Sequence, residues 1–362
     1  MYLPVTIRDV ARKAKVAVST ASSALNGKPY VSEKTRLKVI KVAKELDYHP
    51  HLVARNLACG KTKNLGLINP IPIETVFSSG FFLQLVKGMH DAAFRNNYTL
   101  SLYIVNTEEE AIAQIRSIVK GRNADGLIIT NPTIKTPYLT ELKRQAFPFV
   151  LIGRPPKIDE EISYVDSDNV MVSYEVSKYL IKLGYRKIAL LIGPNKFTFC
   201  IDRLKGYRLA LEEAGLKYDD KLVWECDLSE EGTYRVVSRA LNKKIKFSAL
   251  FATSEVQTIG AIKAIKDKGL SIPSDIAVAS VDFNLTYLQP ITITVDLHPY
   301  NLGYLATNLL IENINRKNSR KTKVLVPADL IIGNSLKITM AGKSENKRPG
   351  GGEEIKRPLI QE

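Results

Sequence analysis

Residues 17–25 carry a run of small polar side chains whose chemistry suits contact with nucleic acid. On a helix, Ala21, Ala24 and Leu25 would face inward and leave one polar face exposed. That face carries Val18, Ser19, Thr20, Ser22 and Ser23. Side chains of this size can approach base edges in a groove and the phosphates beside them. The pattern therefore predicts hydrogen bonding to DNA, and a three-helix core with a Ser/Thr-rich surface is the alternative.

The surrounding sequence predicts two further short helices that would hold this face in place. Thr6 suits the N-cap of the first helix, with Asp9 three residues later, and Ser32 suits the N-cap of the third. The apolar positions expected to pack together are Ile7, Val10, Ala11, Ala14, Leu37, Ile40, Val42, Ala43 and Leu46. Two helices joined by a tight turn, with a third completing the core, form a helix-turn-helix unit.

Positive charge is concentrated in the same part of the chain. The protein has a net charge of +15, and residues 1–64 hold 13 Lys/Arg against 4 Asp/Glu, which leaves +9 in under a fifth of the length. Charge localised in this way is typical of a module that binds a polyanion. A basic surface that serves only solubility is the alternative, but the charge and the polar helix face both favour DNA.

Residues 5–50 closely resemble the DNA-binding headpiece of the LacI/GalR family of bacterial repressors. The matching motifs are V-T-I-R-D-V-A-x-x-A-x-V-x-V-S-T-x-S-x-x-L-N-G, then V-S-E-K-T-R-x-x-V, then L-x-Y-x-P. The resemblance implies that bases are read by Val18, Ser19 and Ser23, and that the DNA backbone is contacted by Thr6, Thr20, Ser22 and Asn26. Lys15 stands where Gly is usual, and Ser23 replaces a longer reader, so the operator sequence cannot be carried over from the family.

Residues 51–63 are predicted to form a short hinge and linker. Pro50 suits the start of a helix, although seven residues alone are only marginally helical. The residues after Pro50 resemble the N-x-x-A-R-x-L hinge of the family. That resemblance implies that Leu57, flanked by Arg55, wedges into the minor groove and kinks the duplex. A plain linker is the alternative.

From residue 64 to residue 341, short apolar runs alternate with amphipathic stretches, which predicts an α/β core with parallel sheets. Two such series fit two Rossmann-like subdomains, with a ligand cleft beyond the carboxyl ends of their strands. We expect the first subdomain to span about 64–162 and 292–325, and the second about 163–291 and 326–341. The tail, 342–362, is rich in Gly and charge and is predicted to be disordered.

The family resemblance extends more loosely to residue 337 and implies a core like that of periplasmic binding proteins. Its best segments are L-G-Y-R-K-I-A-L-L (183–191), D-R-x-x-G-Y-R-x-A-L (202–211) and I-P-S-D-I-A-V-x-x-x-D (272–282). By position, Arg203 would grip an effector and Asp282 would face it, which suits the polar groups of a sugar or a nucleobase. The other implied pocket-lining or effector-binding positions are Phe81, Phe82, Arg154, Phe197, Phe199 and Ser254. A structural Arg203–Asp282 ion pair and ordinary core packing of each Phe are the alternatives.

Four residues, at three places in this core, depart from the family pattern. Ser254-Glu255 stands where Asn-Asp is usual, Leu228 where some members have an aromatic residue, and Gly333 where a late Arg is expected. These departures predict an unusual effector or a weakly bound one.

Other function classes lack the residues that they need. The sequence contains none of the G-x-G-x-x-G, Walker, G-x-S-x-G or H-E-x-x-H motifs, and its four histidines show no metal spacing, so we predict neither an enzyme nor a bound cofactor or metal. Three cysteines without C-x-x-C spacing indicate free thiols in a reducing cytosol. A secreted solute-binding protein is the second rival, and the lack of an apolar signal segment and of an 18-residue apolar run argues against it.

The sequence thus predicts a cytoplasmic, homodimeric transcription regulator of the repressor type. Two headpieces would bind a near-palindromic double-stranded operator, because the symmetry of a dimer matches that of the site. A small-molecule effector, with a carbohydrate as the first expectation, would shift the headpieces allosterically. Whether the effector is an inducer or a corepressor stays open. The tail lacks the Leu heptads of tetramerising family members, which favours a dimer.

Overall fold

The computed structural model describes residues 5–25, 27–48, 61–70, 79–157, 161–281, 291, 293–316, 321–333 and 356–358. The predicted site residues Asn26, Arg55, Leu57 and Asp282 lie outside the described residues. The chain divides into two compact units, Met1–Thr62 and Lys63–Glu362. In the part of the chain that is described, no helix is both long enough and apolar enough to cross a membrane.

The described part of the first unit consists of α1 (Ile7–Ala14), α2 (Val18–Leu25) and α3 (Glu33–Glu45). Thr6 is the N-cap of α1, and its backbone amide and its hydroxyl both donate to the carboxylate of Asp9, at 3.0 and 2.6 Å. These bonds lower the pKa of Asp9. At the start of α3, the hydroxyl of Ser32 accepts from the amide of Thr35 at 3.4 Å. Both predicted N-caps are confirmed.

One small core joins these three helices. Its buried members are Val10, Ala11, Ala14, Ala21, Ala24, Val31, Val39, Val42 and Ala43. The prediction for Leu37 is wrong, since this side chain is 60% exposed while Val39 is fully buried. Residues 39, 42, 43 and 46 form one helical stripe, and a residue two positions before Val39 lies about 200° away around the helix.

The second unit contains a six-stranded sheet and a seven-stranded sheet. The first sheet is built from β1 (Asn64–Asn69), β2 (Thr99–Ile104), β3 (Gly126–Thr130), β4 (Phe149–Ile152), β5 (Tyr164–Ser167) and β11 (Lys323–Val326). Its order is β11-β5-β4-β3-β1-β2, and every pair is parallel.

The second sheet is built from β6 (Ile188–Ile192), β7 (Val223–Glu225), β8 (Ala249–Ala252), β9 (Ala277–Ser280), β10 (Ile293–Asp296), β12 (Asp329–Ile332) and β13 (Lys356–Pro358). Its order is β13-β12-β10-β9-β8-β6-β7. The pairs are parallel except those that β12 makes with β10 and β13. The predicted α/β core with two parallel-rich sheets is confirmed. Of the tail, 342–362, the structure describes only β13, so the predicted disorder stays a prediction.

Eight α-helices of the second unit are described. They are α4 (Gly80–Arg95), α5 (Glu108–Gly121), α6 (Pro137–Arg144), α7 (Asn169–Lys182), α8 (Thr198–Glu213), α9 (Glu230–Asn242), α10 (Glu255–Asp267) and α11 (Pro299–Asn315). The closest helix pairs are α4 with α11, α7 with α8, and α9 with α10. A Cβ on Gly88 would lie 2.0 Å from the carbonyl oxygen of Tyr300, so glycine permits the close approach of α4 and α11.

The chain passes three times between the two sheets. We call the first sheet with α4, α5, α6 and α11 the first lobe, and the second sheet with α7 to α10 the second lobe. The passages follow β5, β10 and β11, whereas the sequence predicts them at 162/163, 291/292 and 325/326. The first two predicted boundaries fall before β5 and β10, the strands that they should follow, and the third falls inside β11, one residue before its end. Strands that are buried on both faces have the same continuous apolar sequence pattern in either lobe. Periodicity therefore does not reveal which sheet a strand joins.

The two sheets reverse their strand order at equivalent places. The order changes direction between β1 and β3 in the first lobe and between β6 and β8 in the second. In open α/β sheets, ligands bind in the crevice outside the carboxyl ends of the strands at such a switch point. The fold therefore directs attention to the residues that end or follow these strands, such as Asn69, Thr130 and Thr253.

Candidate functional site

In the first unit, α2 exposes the side chains that the sequence predicts to read DNA. Val18 is 44% exposed and Ser19 is exposed, while Thr20, Ser22 and Ser23 are half-buried. The helix is fixed from behind by the buried Ala21 and Ala24. The predicted polar face therefore exists as a surface, and the assignment of its residues to bases or phosphates stays a prediction.

Tyr30 is a residue of this surface that sequence reasoning missed. Its side chain is 75% exposed, and its phenol oxygen lies 3.1 Å from the hydroxyl of Ser23. The turn that carries it is held by the buried Val31 and by Arg36, whose guanidinium donates to the carbonyl of Lys28 at 2.8 Å. The phenol extends the polar surface beyond the short side chain of Ser23. An exposed aromatic residue just after the Asn26-Gly27 break was the available signal.

The turn between α1 and α2 contains a strained residue. Lys15 has φ 52° and ψ 49°, the left-handed conformation that glycine adopts without a steric penalty. Its amide and that of Val16 donate to the carbonyls of Arg12 and Ala11 at 3.2 and 3.1 Å, which closes the end of α1. Lys15, which stands where the family usually has Gly, therefore adopts the backbone conformation that glycine favours.

In the second unit, a cavity of about 160 Å³ opens at the switch points of both sheets. Its lining includes five of the predicted effector-binding residues, Phe81, Phe82, Phe199, Arg203 and Ser254. It also includes Glu255, which the sequence marks as a departure from the family pattern, and residues that the sequence reasoning missed, among them Asn69, Thr130, Asp166, Ser167 and Asn169. The sequence contains a signal for three of them, since Asn69, Thr130 and Ser167 are polar residues that each end a largely buried strand.

Arg203 is held rigidly at the cavity wall. The residue is only 6% exposed, and its Nε donates to Oδ1 of Asn169 at 2.9 Å. Its Nη1 donates to the carbonyl oxygen of Thr253, and its guanidinium lies 5.1 Å from the ring centroid of Phe199. Its charge is thus fixed in place by α7, α8 and the end of β8. The predicted partner Asp282 lies outside the described residues, so the alternative of a structural ion pair stays open.

Asp166 places a buried carboxyl on the same wall. It accepts hydrogen bonds from the amides of Arg154 and Ser167 at 2.9 and 2.8 Å, and from the Asn169 side chain at 3.1 Å. Burial raises the pKa of Asp166 to about 7, against the opposing effect of the two amides. This carboxyl therefore titrates close to neutral pH.

Arg154, which the resemblance implies at the effector site, pairs with an acidic side chain in this structure. Its guanidinium forms two hydrogen bonds with Asp202, from Nε to Oδ2 at 2.5 Å and from Nη2 to Oδ1 at 2.6 Å. It is not among the described residues that line the cavity. Its predicted role in effector binding stays a prediction without support from the cavity.

Ser167 presents a hydroxyl with no partner in the described structure. The residue is 4% exposed, it lines the cavity, and its Oγ makes no hydrogen bond there. A buried hydroxyl without a partner is costly, so such a group beside a cavity indicates a place where a ligand or water completes the bonding.

Contacts between the lobes border the cavity. Thr133 and Phe197 form an antiparallel bridge, and the amide of Ile134 donates to the carbonyl of Lys196 at 2.7 Å. Elsewhere the amide of Gly80 donates to Oε2 of Glu255 at 2.7 Å. The described residues contain no cluster of His, Cys, Asp and Glu that suits a metal ion. The arrangement is that of a pocket between two lobes, with a largely apolar lining and a few polar groups.

Two protein families match the two units of the chain. The family described as "Bacterial regulatory proteins, lacI family" matches residues 6–51. The family described as "Periplasmic binding proteins and sugar binding domain of LacI family" matches residues 62–334. Together they span nearly the whole described chain.

Curated relatives carry the same combination. The transcriptional regulator AglR of Rhizobium meliloti (strain 1021) is 33% identical over 295 residues, which cover 82% of each chain. The regulator MalR of Streptococcus pneumoniae serotype 4 is 30% identical over 320 residues, which cover 88% of this chain and 95% of that protein.

Solved structures share the fold. The complex of the regulator CelR with cellobiose has a TM-score of 0.71 at 26% identity and covers 91% of this chain and 99% of that one. The lac repressor dimer bound to operator and the anti-inducer ONPF has a TM-score of 0.79 at 23% identity and covers 92% and 99%. At 23% identity, the similarity to the lac repressor shows a shared fold only.

Proposed function

This chain belongs to the LacI family of bacterial regulatory proteins, and we propose that it is a homodimeric repressor whose binding to a near-palindromic operator is controlled by a carbohydrate. As a family member, it is a DNA-binding transcriptional regulator with a ligand-binding core. The relatives reported above are transcriptional regulators and not enzymes. We further propose that the protein acts in the cytoplasm, where its operator would be.

The DNA-reading role rests on the surface of α2. Val18, Ser19 and Ser23 would face base edges, and the polar groups of Thr6, Thr20, Ser22 and Asn26 would face phosphates. The excess positive charge of residues 1–64 would supply the salt-dependent part of the affinity. For the hinge, we propose that Leu57 wedges into the minor groove beside Arg55.

The ligand-binding role rests on the cavity, which is the observation that carries the proposal. It lies at the switch points of both sheets and brings a fixed Arg203 together with Ser254 and several unpredicted polar groups. Aromatic side chains at Phe81, Phe82 and Phe199 suit the faces of a sugar ring. The solved CelR complex holds cellobiose in a protein of this fold, which supports a carbohydrate here. Asp282 would face Arg203 across the ligand.

Control would come from movement of the lobes. Contacts such as the Thr133–Phe197 bridge exist only when the lobes are close, so a ligand that bridges the lobes would favour this closed arrangement. In a symmetric dimer, such closure would alter the spacing of two headpieces and hence their fit to two half-sites.

A thermal-shift screen of neutral sugars, sugar phosphates and nucleobases tests the ligand site, with Arg203→Ala and Asp282→Ala as site variants and the exposed Glu231→Gln as the control. A ligand at 100 times its Kd stabilises a protein by about 2.7 kcal/mol. We expect a sugar to stabilise the parent and the control, and to lose most of that effect in both site variants. A ligand that stabilises all four proteins equally would contradict the site.

A further inference from the structure

We propose that Glu255 is the specificity-determining residue of the cavity, where its carboxylate, seated on the amide of Gly80, selects an uncharged ligand over a phosphorylated one. The inference rests on the proposed ligand-binding function and names the class of ligand more closely.

The position of the carboxylate is fixed from both lobes. Glu255 is the first residue of α10 in the second lobe, and Gly80 is the first residue of α4 in the first lobe. Oε2 of Glu255 accepts the amide proton of Gly80 at 2.7 Å. This amide belongs to the first turn of a helix, where backbone N–H groups lack partners within the helix and attract an anion. The protein's own carboxylate thus fills the place that a ligand's phosphate would otherwise favour.

The charges around the cavity point the same way. Among the described residues that line it, the charged ones are Arg203, Asp166 and Glu255, so one cation stands against two carboxyl groups. The cation already donates to Asn169 and to the carbonyl of Thr253. A phosphoryl group brings a charge of about −1.5 to −2 at pH 7, which the carboxylate of Glu255 would repel in a partly desolvated site, with Asp166 adding to this repulsion only where it is ionised.

The hydrogen-bonding groups of the cavity also favour an uncharged ligand. An ionised carboxylate only accepts hydrogen bonds, so it needs a ligand that donates. The hydroxyls of a neutral sugar donate, whereas a phosphate dianion only accepts. The partnerless hydroxyl of Ser167, which also lines the cavity, can either donate a hydrogen bond to a sugar hydroxyl or accept one from it. An uncharged polyol satisfies these groups together.

Isothermal titration calorimetry on the full-length protein tests the proposal with matched pairs of ligands. The probes are glucose with glucose 6-phosphate, maltose with maltose 6′-phosphate, and cellobiose with cellobiose 6′-phosphate. In Glu255→Gln the amide oxygen can still accept from Gly80, so only the charge is lost. The control is Glu231→Gln, whose side chain is 80% exposed and lies in α9.

We expect the parent and Glu231→Gln to bind one neutral sugar and to reject its phosphorylated form. In Glu255→Gln the dissociation constant of the phosphorylated sugar, divided by that of the neutral sugar, should fall by about tenfold or more. A parent that binds the phosphorylated sugar as tightly as the neutral one would overturn the proposal and leave the sugar site standing. An unchanged ratio in Glu255→Gln would also overturn it.

If no sugar of either kind binds the parent, the proposed carbohydrate effector has failed, and inorganic phosphate decides the role of Glu255. Removing the carboxylate in Glu255→Ala frees the amide of Gly80, so phosphate should bind this variant and neither the parent nor Glu231→Gln. Phosphate binding that is equal in all three proteins, or absent from all three, would overturn the proposal.

Discussion

Arg154 and Asp202 form a two-pronged ion pair between the lobes, with N···O distances of 2.5 and 2.6 Å. Arg154 follows β4 in the first lobe, and Asp202 lies in α8 of the second. Asp202 is buried, and Arg154 is partly exposed. The side chain that the family resemblance assigns to the ligand therefore fastens the two lobes to each other.

Breaking this pair should lower the folding stability of the second unit. In Asp202→Asn, the guanidinium of Arg154 loses its charged partner, which should cost about 1.5–3 kcal/mol of stability, since hydrogen bonds to charged groups contribute that much. Urea unfolding measures the loss. The matched control is Glu141→Gln, which breaks an exposed pair with Arg144 and should cost well under about 1 kcal/mol. Equal losses in the two variants would contradict the role of the Arg154–Asp202 pair.

Asp166 should give the protein a particular dependence of stability on pH. Its pKa in the folded chain, about 7, is higher than the ordinary value of 3.8, because it is buried. Its stabilising contribution is therefore fully present below about pH 4 and is lost as the pH rises to 7, at up to about 1.4 kcal/mol per pH unit.

Asp166→Asn removes that loss. Although the variant should be less stable at pH 5, because an amide group cannot accept from all three donors, the difference from the parent should shrink towards pH 8. Chemical unfolding of both proteins across this range measures the difference. A difference that stays constant with pH would show that the carboxyl does not titrate there.

Lys15→Gly should stabilise the first unit. A side chain in the left-handed region costs about 1–2 kcal/mol, and the extra freedom of an unfolded glycine returns part of it, so a net gain of about 0.5–1 kcal/mol is expected. Hydrogen exchange of the α1 amides reports this gain. In the control, Lys41→Gly, glycine enters the interior of α3 and should destabilise by about 1 kcal/mol. A loss of protection in both variants would argue against the strained turn.

Tyr30→Phe should change DNA recognition without changing the fold. The phenol oxygen is exposed and contacts Ser23, so its removal leaves the core of the first unit intact. Loss of one hydrogen-bonding group should weaken operator binding about two- to tenfold and relax the preference at one base pair. Fluorescence anisotropy with single-base variants of the operator measures both effects. Tyr48→Phe, which alters a side chain packed on the core, is the control, and identical base preferences in all three proteins would contradict the role of Tyr30.

In the first unit, local sequence is enough to predict the helix N-caps. The caps at Thr6 and Ser32 depend on neighbours three residues away, and both could be predicted. Leu37 was misassigned because apolar character alone did not fix the phase of the α3 stripe, and Val39 takes the buried position. Tyr30 could not be linked to Ser23 without knowing how the turn brings them together.

In the second unit, local sequence is not enough to predict the binding site. Phe81, Phe199 and Arg203, which the resemblance implies as effector-binding positions, all line one cavity, and their role there stays a prediction. The resemblance did not show that Arg154 pairs with Asp202, 48 residues away, since a pairing through space leaves no trace in periodicity. Nor did it show Asp166 or Ser167 at the pocket, because a polar residue at the end of a strand acquires its role only when two sheets face each other.

Selection of duplexes from a random DNA pool by the purified full-length protein tests the central claim most directly. We predict enrichment of one near-palindromic sequence with two half-sites. Its affinity should fall by about 10³–10⁵ between 50 and 200 mM salt if six to ten phosphates are contacted. A pool that yields no enriched sequence, or an enriched sequence without two-fold symmetry, would contradict a dimeric operator-binding regulator.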